Sequence, residues 1–291
     1  MRHSSLATVE MLRLRDGRRL CVRRWVGPRP PALVLLHGLL DSSEGWASLC
    51  ERMSCTRIAI DLPGFGYSDA PSRGSIAGYA QDVADALAAL RIDRFTLAGH
   101  SLGGAVATAL AELVPEKVAG LVLLAPAGFG RIHLAEAVSM PGVRSVVQAG
   151  LPFALSSRSA VTLAYLAMVT NGRRPDPELV ARVTGRGGRL IPGAREGIRA
   201  VVEAGRSERA FHLRRVAYSG PVYAVWGDRD RLVPPSHRNG VKVAFPHALT
   251  DLWEGMGHHP LRERFDDLLA LIARAGCDEV AAAARPLGRA A

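Results

Sequence analysis

The chain has 291 residues, 48% apolar and 22% charged, in ordinary globular proportions. That excludes intrinsic disorder, collagen-like repeats and a disulfide-dense scaffold, and the length fits one large α/β unit or a core with a sizeable insertion. The net charge of +10 does not point to nucleic acid: 35 of the 37 basic residues are arginine, scattered without interleaved aromatics, as a coding bias would leave them.

The elements are read in chain order. Residues 8–15 and 19–26 alternate as two strands joined at Asp16-Gly17, a hairpin signal. Residues 32–36 and 57–61 are apolar runs too short for helices, the first ending at His37-Gly38 and the second at Leu62-Pro63-Gly64. Helical spacing over 76–90 is followed by a strand at 95–98, a helix at 102–113 and a strand at 118–124. After Pro126 the rhythm changes, and from Gly128 to about Arg215 the pattern is helical and irregular, broken by Pro and Gly. Strands resume at 222–226 and 249–253, each followed by a helix, the last over 262–274. Eight strand segments alternating with helices predict an α/β fold, a mostly parallel eight-stranded sheet with helices on both faces. The expected division is a core of residues 1–127 and 216–277, a helical insertion of 128–215 after the sixth strand, and a frayed or disordered tail at 278–291.

No run of 18 uncharged apolar residues occurs, so no membrane span is expected. Residues 1–16 lack the apolar core of a signal peptide, which makes a cytoplasmic location the expectation. Cys21, Cys50, Cys55 and Cys277 form no C-x-x-C pair and are expected to be free thiols, several of them buried. The nine histidines show no metal-ligand spacing, and neither metal nor cofactor is expected.

Gly99-His100-Ser101-Leu102-Gly103 stands where a strand gives way to a helix. A serine on so sharp a turn needs small neighbours, because a Cβ two positions away would strike the backbone. The helix that follows aims its unpaired N–H groups at the site. A serine hydroxyl needs a base, and the base an orienting acid. Asp230, in Gly227–Pro234, and His258, in Gly257–Pro260, follow the next two predicted strands, so parallel strands bring them to the same sheet edge as Ser101.

Together these motifs resemble the α/β-hydrolase superfamily, in the serine-hydrolase branch with a helical cap, over roughly residues 12–271. His37-Gly38 resembles the family's H-G motif, and Asp61 to Ser68 its D-x-P-G-x-G-x-S loop. The resemblance implies Ser101 as nucleophile, His258 as base and Asp230 as acid. It also implies an oxyanion hole from the backbone N–H groups of Leu39 and Leu102, supported by His37, Gly38, Gly99, His100 and Gly103.

Each role has a rival. Asp228 competes with Asp230, but the family's G-x-x-D-x-x-V-P spacing selects Asp230 and leaves Asp228 to pair with an arginine. His259 competes with His258, which holds the matching position after Gly257. His37 is expected to tie the oxyanion loop, and His100 to pack or hydrogen-bond nearby. The Asp61–Ser68 loop lacks the ending of a phosphate-binding loop and reads as a structural turn.

Function follows as an expectation: ester cleavage through an acyl-enzyme, with a small-molecule ester or acyl substrate. Biosynthetic acyl transfer or elimination, carbon–carbon bond hydrolysis and an inactive binding module are the alternatives. Acyl transfer would bring in an acidic carrier protein, for which the arginines are the only cue. The stretch 134–169, with Met140, Val143, Val146, Phe153, Leu163 and Tyr165, is apolar enough to line an acyl pocket, though burial against the core explains most such residues equally well.

Overall fold

Runs such as Ala-Leu-Val-Leu-Leu have apolar side chains at every position, which suits a strand covered on both faces. The computed structural model, describing residues 7–28, 30–168, 174–175, 177–184, 199–200 and 210–277, puts these runs in one sheet. Its strands are β1 (Thr8–Arg13), β2 (Arg19–Trp25), β3 (Ala32–Leu36), β4 (Arg57–Ile60), β5 (Phe95–His100), β6 (Val118–Leu124), β7 (Val222–Gly227) and β8 (Leu249–Trp253). They lie in the order β1-β2-β4-β3-β5-β6-β7-β8. β2 pairs antiparallel with β1 and β4, and every pair from β4 to β8 is parallel.

The pleat sorts the side chains into two cores. Val34, Leu36, Ile58, Leu97 and Leu121 face one, filled by Val83 and Leu87 of α2 (Ile76–Ala89) and Val106 and Leu110 of α3 (Leu102–Leu113). Leu33, Leu35, Ala59, Ala98 and Val122 face the other, with Leu49 and Cys50 of α1 (Ala47–Cys50) beneath them. Cys21, Cys50 and Cys55 are buried, and burial pushes the Cys50 thiol strongly up in pKa. The side chain of Cys277 and the tail 278–291 lie outside the described residues.

Between β6 and β7 the described residues form α4 (His133–Ser139), α5 (Pro141–Ser156), α6 (Arg158–Met168) and α7 (Pro177–Thr184). Val161 and Tyr165 of α6 pack with Leu179, Val180 and Val183 of α7 in a small core of their own. Met140, Val143, Val146 and Leu163, expected as lining or burial, are exposed. The side chain of Phe153 and residue 169 lie outside the described residues.

Past β7 come α8 (His237–Ala244), α9 (Pro260–Glu263) and α10 (Phe265–Ile272). Leu268, Leu271 and Ile272 of α10 complete the second core. The single helix expected over 262–274 is broken at Arg264, whose φ of −140° and ψ of 53° are not helical. The turn before the break is held by the Glu263 side chain, which binds backbone N–H groups upstream of it. β1 stops at Arg13, short of the expected 15, because the N–H of Gly17 turns back to the carbonyl of Leu14. β5 runs two residues further than expected, to His100, which pairs with Leu124.

Candidate active site

β5 delivers its last residue directly into the turn. Ser101 has φ 53° and ψ −115°, a region that side-chain-bearing residues rarely occupy and that costs about 1–3 kcal/mol. The flanking glycines show why the turn closes. A Cβ on Gly99 would lie 2.2 Å from the carbonyl oxygen of Gly103, and one on Gly103 would lie 2.3 Å from that of Leu36. Leu102 opens α3, so its N–H is one of the first-turn donors that the helix itself leaves free.

The ends of β7 and β8 supply the other two groups. His258 Nδ1 lies 2.7 Å from Asp230 Oδ2, the ring donating and the carboxylate accepting. The other carboxylate oxygen accepts from the N–H groups of Leu232 and Val233, each at 2.9 Å. With its proton held on Nδ1, the neutral ring keeps the lone pair of Nε2. Both side chains are almost completely buried, which removes the solvent that would otherwise compete for the bond.

His100 links this pair to the serine strand. Its Nε2 donates to the carbonyl oxygen of His258 at 2.7 Å, and its ring centroid is 4.8 Å from those of both His258 and His259. Burial, reinforced by the neighbouring His258, pushes the His100 pKa down to about 3, so it stays neutral. His259 is likewise driven well below the ordinary histidine value, chiefly by burial and then by His100.

The loop after β3 approaches from the other side. A Cβ on Gly38 would meet His100 Nδ1 at 3.0 Å and the Cβ of Ser101 at 3.3 Å, so Leu39 follows a residue in direct contact with the serine turn. His37 donates from Nδ1 to the carbonyl of Gly38 at 2.7 Å and accepts at Nε2 from the N–H of Leu62 at 2.9 Å. It is therefore a strut within this loop. Asp61 anchors the same region by accepting from the N–H groups of Ser43 and Tyr67, while the Ser68 hydroxyl donates to the Asp61 carbonyl. The Asp61–Ser68 segment is thus a turn braced by its own side chains.

Asp228 is exposed and, among the described residues, has no ion pair, which corrects the expected pairing with an arginine. It sits at the rim where the chain leaves β7, its N–H bonded to the carbonyl of Trp253, and solvent screens any charge partner there. His259 lies in the ring cluster, with Tyr165 of α6 stacked on it at 6.0 Å.

Three contributors had no motif to announce them. Tyr165 and Arg182 come from the inserted helices; Arg182 lies 3.6 Å from Asp41 in the loop after β3. Glu263 accepts from the N–H groups of Gly257 and His259, at 2.8 and 3.1 Å. An acidic residue a few positions past the histidine was the only available cue. Among the described residues no group of three or more His, Cys, Asp or Glu could hold a metal ion, and no helix is long and apolar enough to cross a membrane.

The pattern described as the alpha/beta hydrolase fold matches residues 31–264, spanning all these loops. The chain belongs to the α/β-hydrolase family. It is 32% identical over 255 residues to an uncharacterized protein of Mycobacterium tuberculosis, covering 82% of this chain and 74% of that one. Lipase 1 of Psychrobacter immobilis is 23% identical over 279 residues, covering 91% of this chain and 83% of the lipase. Among solved structures, an esterase from Exiguobacterium antarcticum superposes with a TM-score of 0.71 at 16% identity, covering 91% of this chain and 98% of the esterase. Family membership, with the lipase among its relatives, supports hydrolase activity, and the esterase structure shows the fold.

Proposed function

We propose that the protein is a serine hydrolase that cleaves carboxylic esters through an acyl-enzyme intermediate. The observation that carries this reading is the 2.7 Å bond from His258 to Asp230, formed beside a serine held in a strained strand-to-helix turn.

In this reading Ser101 Oγ attacks the ester carbonyl while His258 Nε2 takes its proton. The charge that develops on the carbonyl oxygen is met by the backbone N–H groups of Leu39 and Leu102, with the N-terminus of α3 adding its dipole. Collapse expels the alkoxide, which receives the proton from His258. Water, deprotonated by the same nitrogen, then attacks the acyl-enzyme and frees Ser101. Asp230 fixes the tautomer and offsets the positive charge that His258 carries at each transition state. Its two further hydrogen bonds keep it aimed.

Residues 128–215 act in this reading as a cap that selects the substrate, through the two contacts described with the core: Tyr165 on His259, and Arg182 with Asp41. The substrate is a small-molecule ester whose acyl part is apolar.

The test is a fluorophosphonate probe followed by intact-mass analysis and peptide mapping, with p-nitrophenyl esters assayed in parallel. Stoichiometric labelling of Ser101 with ester turnover is the expected result. No labelling overturns the serine mechanism. Labelling of Ser101 without hydrolysis of any ester moves the function to acyl transfer or elimination on the same residues.

A further inference from the structure

A base on a loop is only as accurate as the backbone beneath it. His258 lies on the connection between β8 and α9, where no strand or helix partner secures its neighbours' N–H groups. The Glu263 carboxylate secures both: one oxygen accepts from the N–H of Gly257 at 2.8 Å and the other from the N–H of His259 at 3.1 Å. The carbonyl of His258 itself is held by His100 Nε2 at 2.7 Å. The peptide group that follows the histidine is therefore held at both its carbonyl and its N–H, the peptide group entering Gly257 is held at its N–H, and the histidine ring is fixed separately by Asp230.

From this we infer that Glu263 is a positioning residue for His258, acting through the backbone and touching neither substrate nor serine. The inference rests on the reading of His258 as the base. Two features argue that the clamp is specific. Both oxygens of one carboxylate are committed to residues flanking the same histidine. The chain also gives up a longer helix, breaking at Arg264, for a one-turn segment that carries Glu263. An ordinary helix-start contact would use only the N–H of His259, the residue that precedes α9. The additional bond to Gly257 spans the histidine.

The experiment compares wild type with Glu263→Ala and Glu263→Gln in the full chain. Three quantities are read: kcat and KM for a p-nitrophenyl ester, the rate of Ser101 labelling by a fluorophosphonate, and the low-field proton resonance of the Asp230–His258 bond. Misplacing a catalytic group by about 1 Å costs on the order of 100-fold. Glu263→Ala is therefore expected to lower kcat by about 30- to 100-fold with KM within about twofold. Labelling should slow in proportion, and the low-field resonance should broaden or shift. Glu263→Gln keeps one acceptor oxygen and should recover part of the loss.

A kcat within about threefold of wild type for Glu263→Ala, with an unchanged resonance, overturns the inference. So does a loss in apparent kcat, with KM unchanged, that disappears on assay well below the variant's melting temperature, since that is a loss of folded enzyme. Should Glu263→Ala fail to fold, Glu263→Gln decides: wild-type labelling and resonance in that variant overturn the proposal. Wild-type protein that never labels at Ser101 is the separate failure of the serine-hydrolase reading.

Discussion

The sheet and the inserted helices differ in how tightly they hold their side chains. At the strand ends Ser101, Asp230 and His258 are 7%, 5% and 2% exposed, and the acid and the histidine are tied by short hydrogen bonds. Between β6 and β7, Val146 is 73% and Leu163 68% exposed, and α6 and α7 share a small apolar core of their own. Precise geometry needs crowded, water-poor surroundings. A region that leaves apolar side chains in solvent can change its sequence at little cost to the fold. In the proposed reading the chemistry belongs to the sheet edge, and the substrate preference to the insertion.

The largest expected effects test the first half of that comparison. Ser101→Ala should lower kcat by roughly 10⁵- to 10⁶-fold while leaving the melting temperature near or above wild type, because the substitution removes the proposed nucleophile but not the fold. Activity within tenfold of wild type would remove the serine from the mechanism. Asp230→Asn should cost about 10⁴-fold by presenting the wrong hydrogen-bond pattern to His258 Nδ1. Asp228→Asn, on the exposed rim, should cost only a few-fold. A reversal of the two, measured as kcat/KM on one ester, would mean that the wrong aspartate has been read as the acid.

Much of the sheet edge was legible because its rules are local. A serine in a strained turn needs Gly99 and Gly103, and their Cβ clashes with Gly103 and Leu36 are backbone facts that hold wherever the turn occurs. The eight-stranded count followed from short strand signals alternating with helices, several of them apolar at every position, whereas the strand order came only with the structure. Helix 262–274 was misread because periodicity cannot register a carboxylate that turns back to bind Gly257 and His259. The insertion was legible only as helical. Which of its residues reach the core depends on long-range packing, and Tyr165 stacking on His259 leaves no periodic trace.

Stability should separate the regions as sharply as activity does. Leu33 is fully buried in β3, and Leu33→Ala should cost about 3 kcal/mol through lost burial and a residual cavity. Leu163→Ala, on the exposed face of α6, should stay within about 0.5 kcal/mol. Urea unfolding of the two variants checks this. A loss at Leu163 matching that at Leu33 would show that the insertion buries this face in solution.

Acid should act through the histidines at the sheet edge. His100 and His259 remain neutral in the fold, whereas in the unfolded chain each takes up a proton near pH 6.5. As pH falls below about 6.5, protons bind the unfolded state alone, so stability falls; above that pH the effect vanishes. For His100 the loss continues down to its folded pKa of about 3. Each group can contribute up to about 1.4 kcal/mol per pH unit in that window. Urea midpoints from pH 8 to pH 5 should show the decline, and His259→Phe should flatten it by about one proton. A midpoint independent of pH over this range would contradict the burial of both rings.

The smallest effects test the second half of the comparison, the proposed selection of substrate by the insertion. Two arginines of the insertion are paired: Arg182 lies 3.6 Å from Asp41, and Arg131 is bonded to Glu136 at 2.8 Å. A neutral acyl group is thus expected to be favoured over an anionic one of equal length. Each methylene that enters the pocket should raise kcat/KM by at most about fourfold, the equivalent of about 0.8 kcal/mol of burial. The gain should stop once the pocket is full. Tyr165, stacked on His259 beside the base, is the described side chain of the insertion best placed to set that limit. Tyr165→Ala should move the optimum of a p-nitrophenyl ester series to longer chains while leaving the acetate rate within a few-fold, since a two-carbon acyl group does not extend that far. An unchanged optimum would take Tyr165 out of the pocket wall. A wild-type preference for the anionic ester would show that the Arg182–Asp41 pair opens to receive substrate.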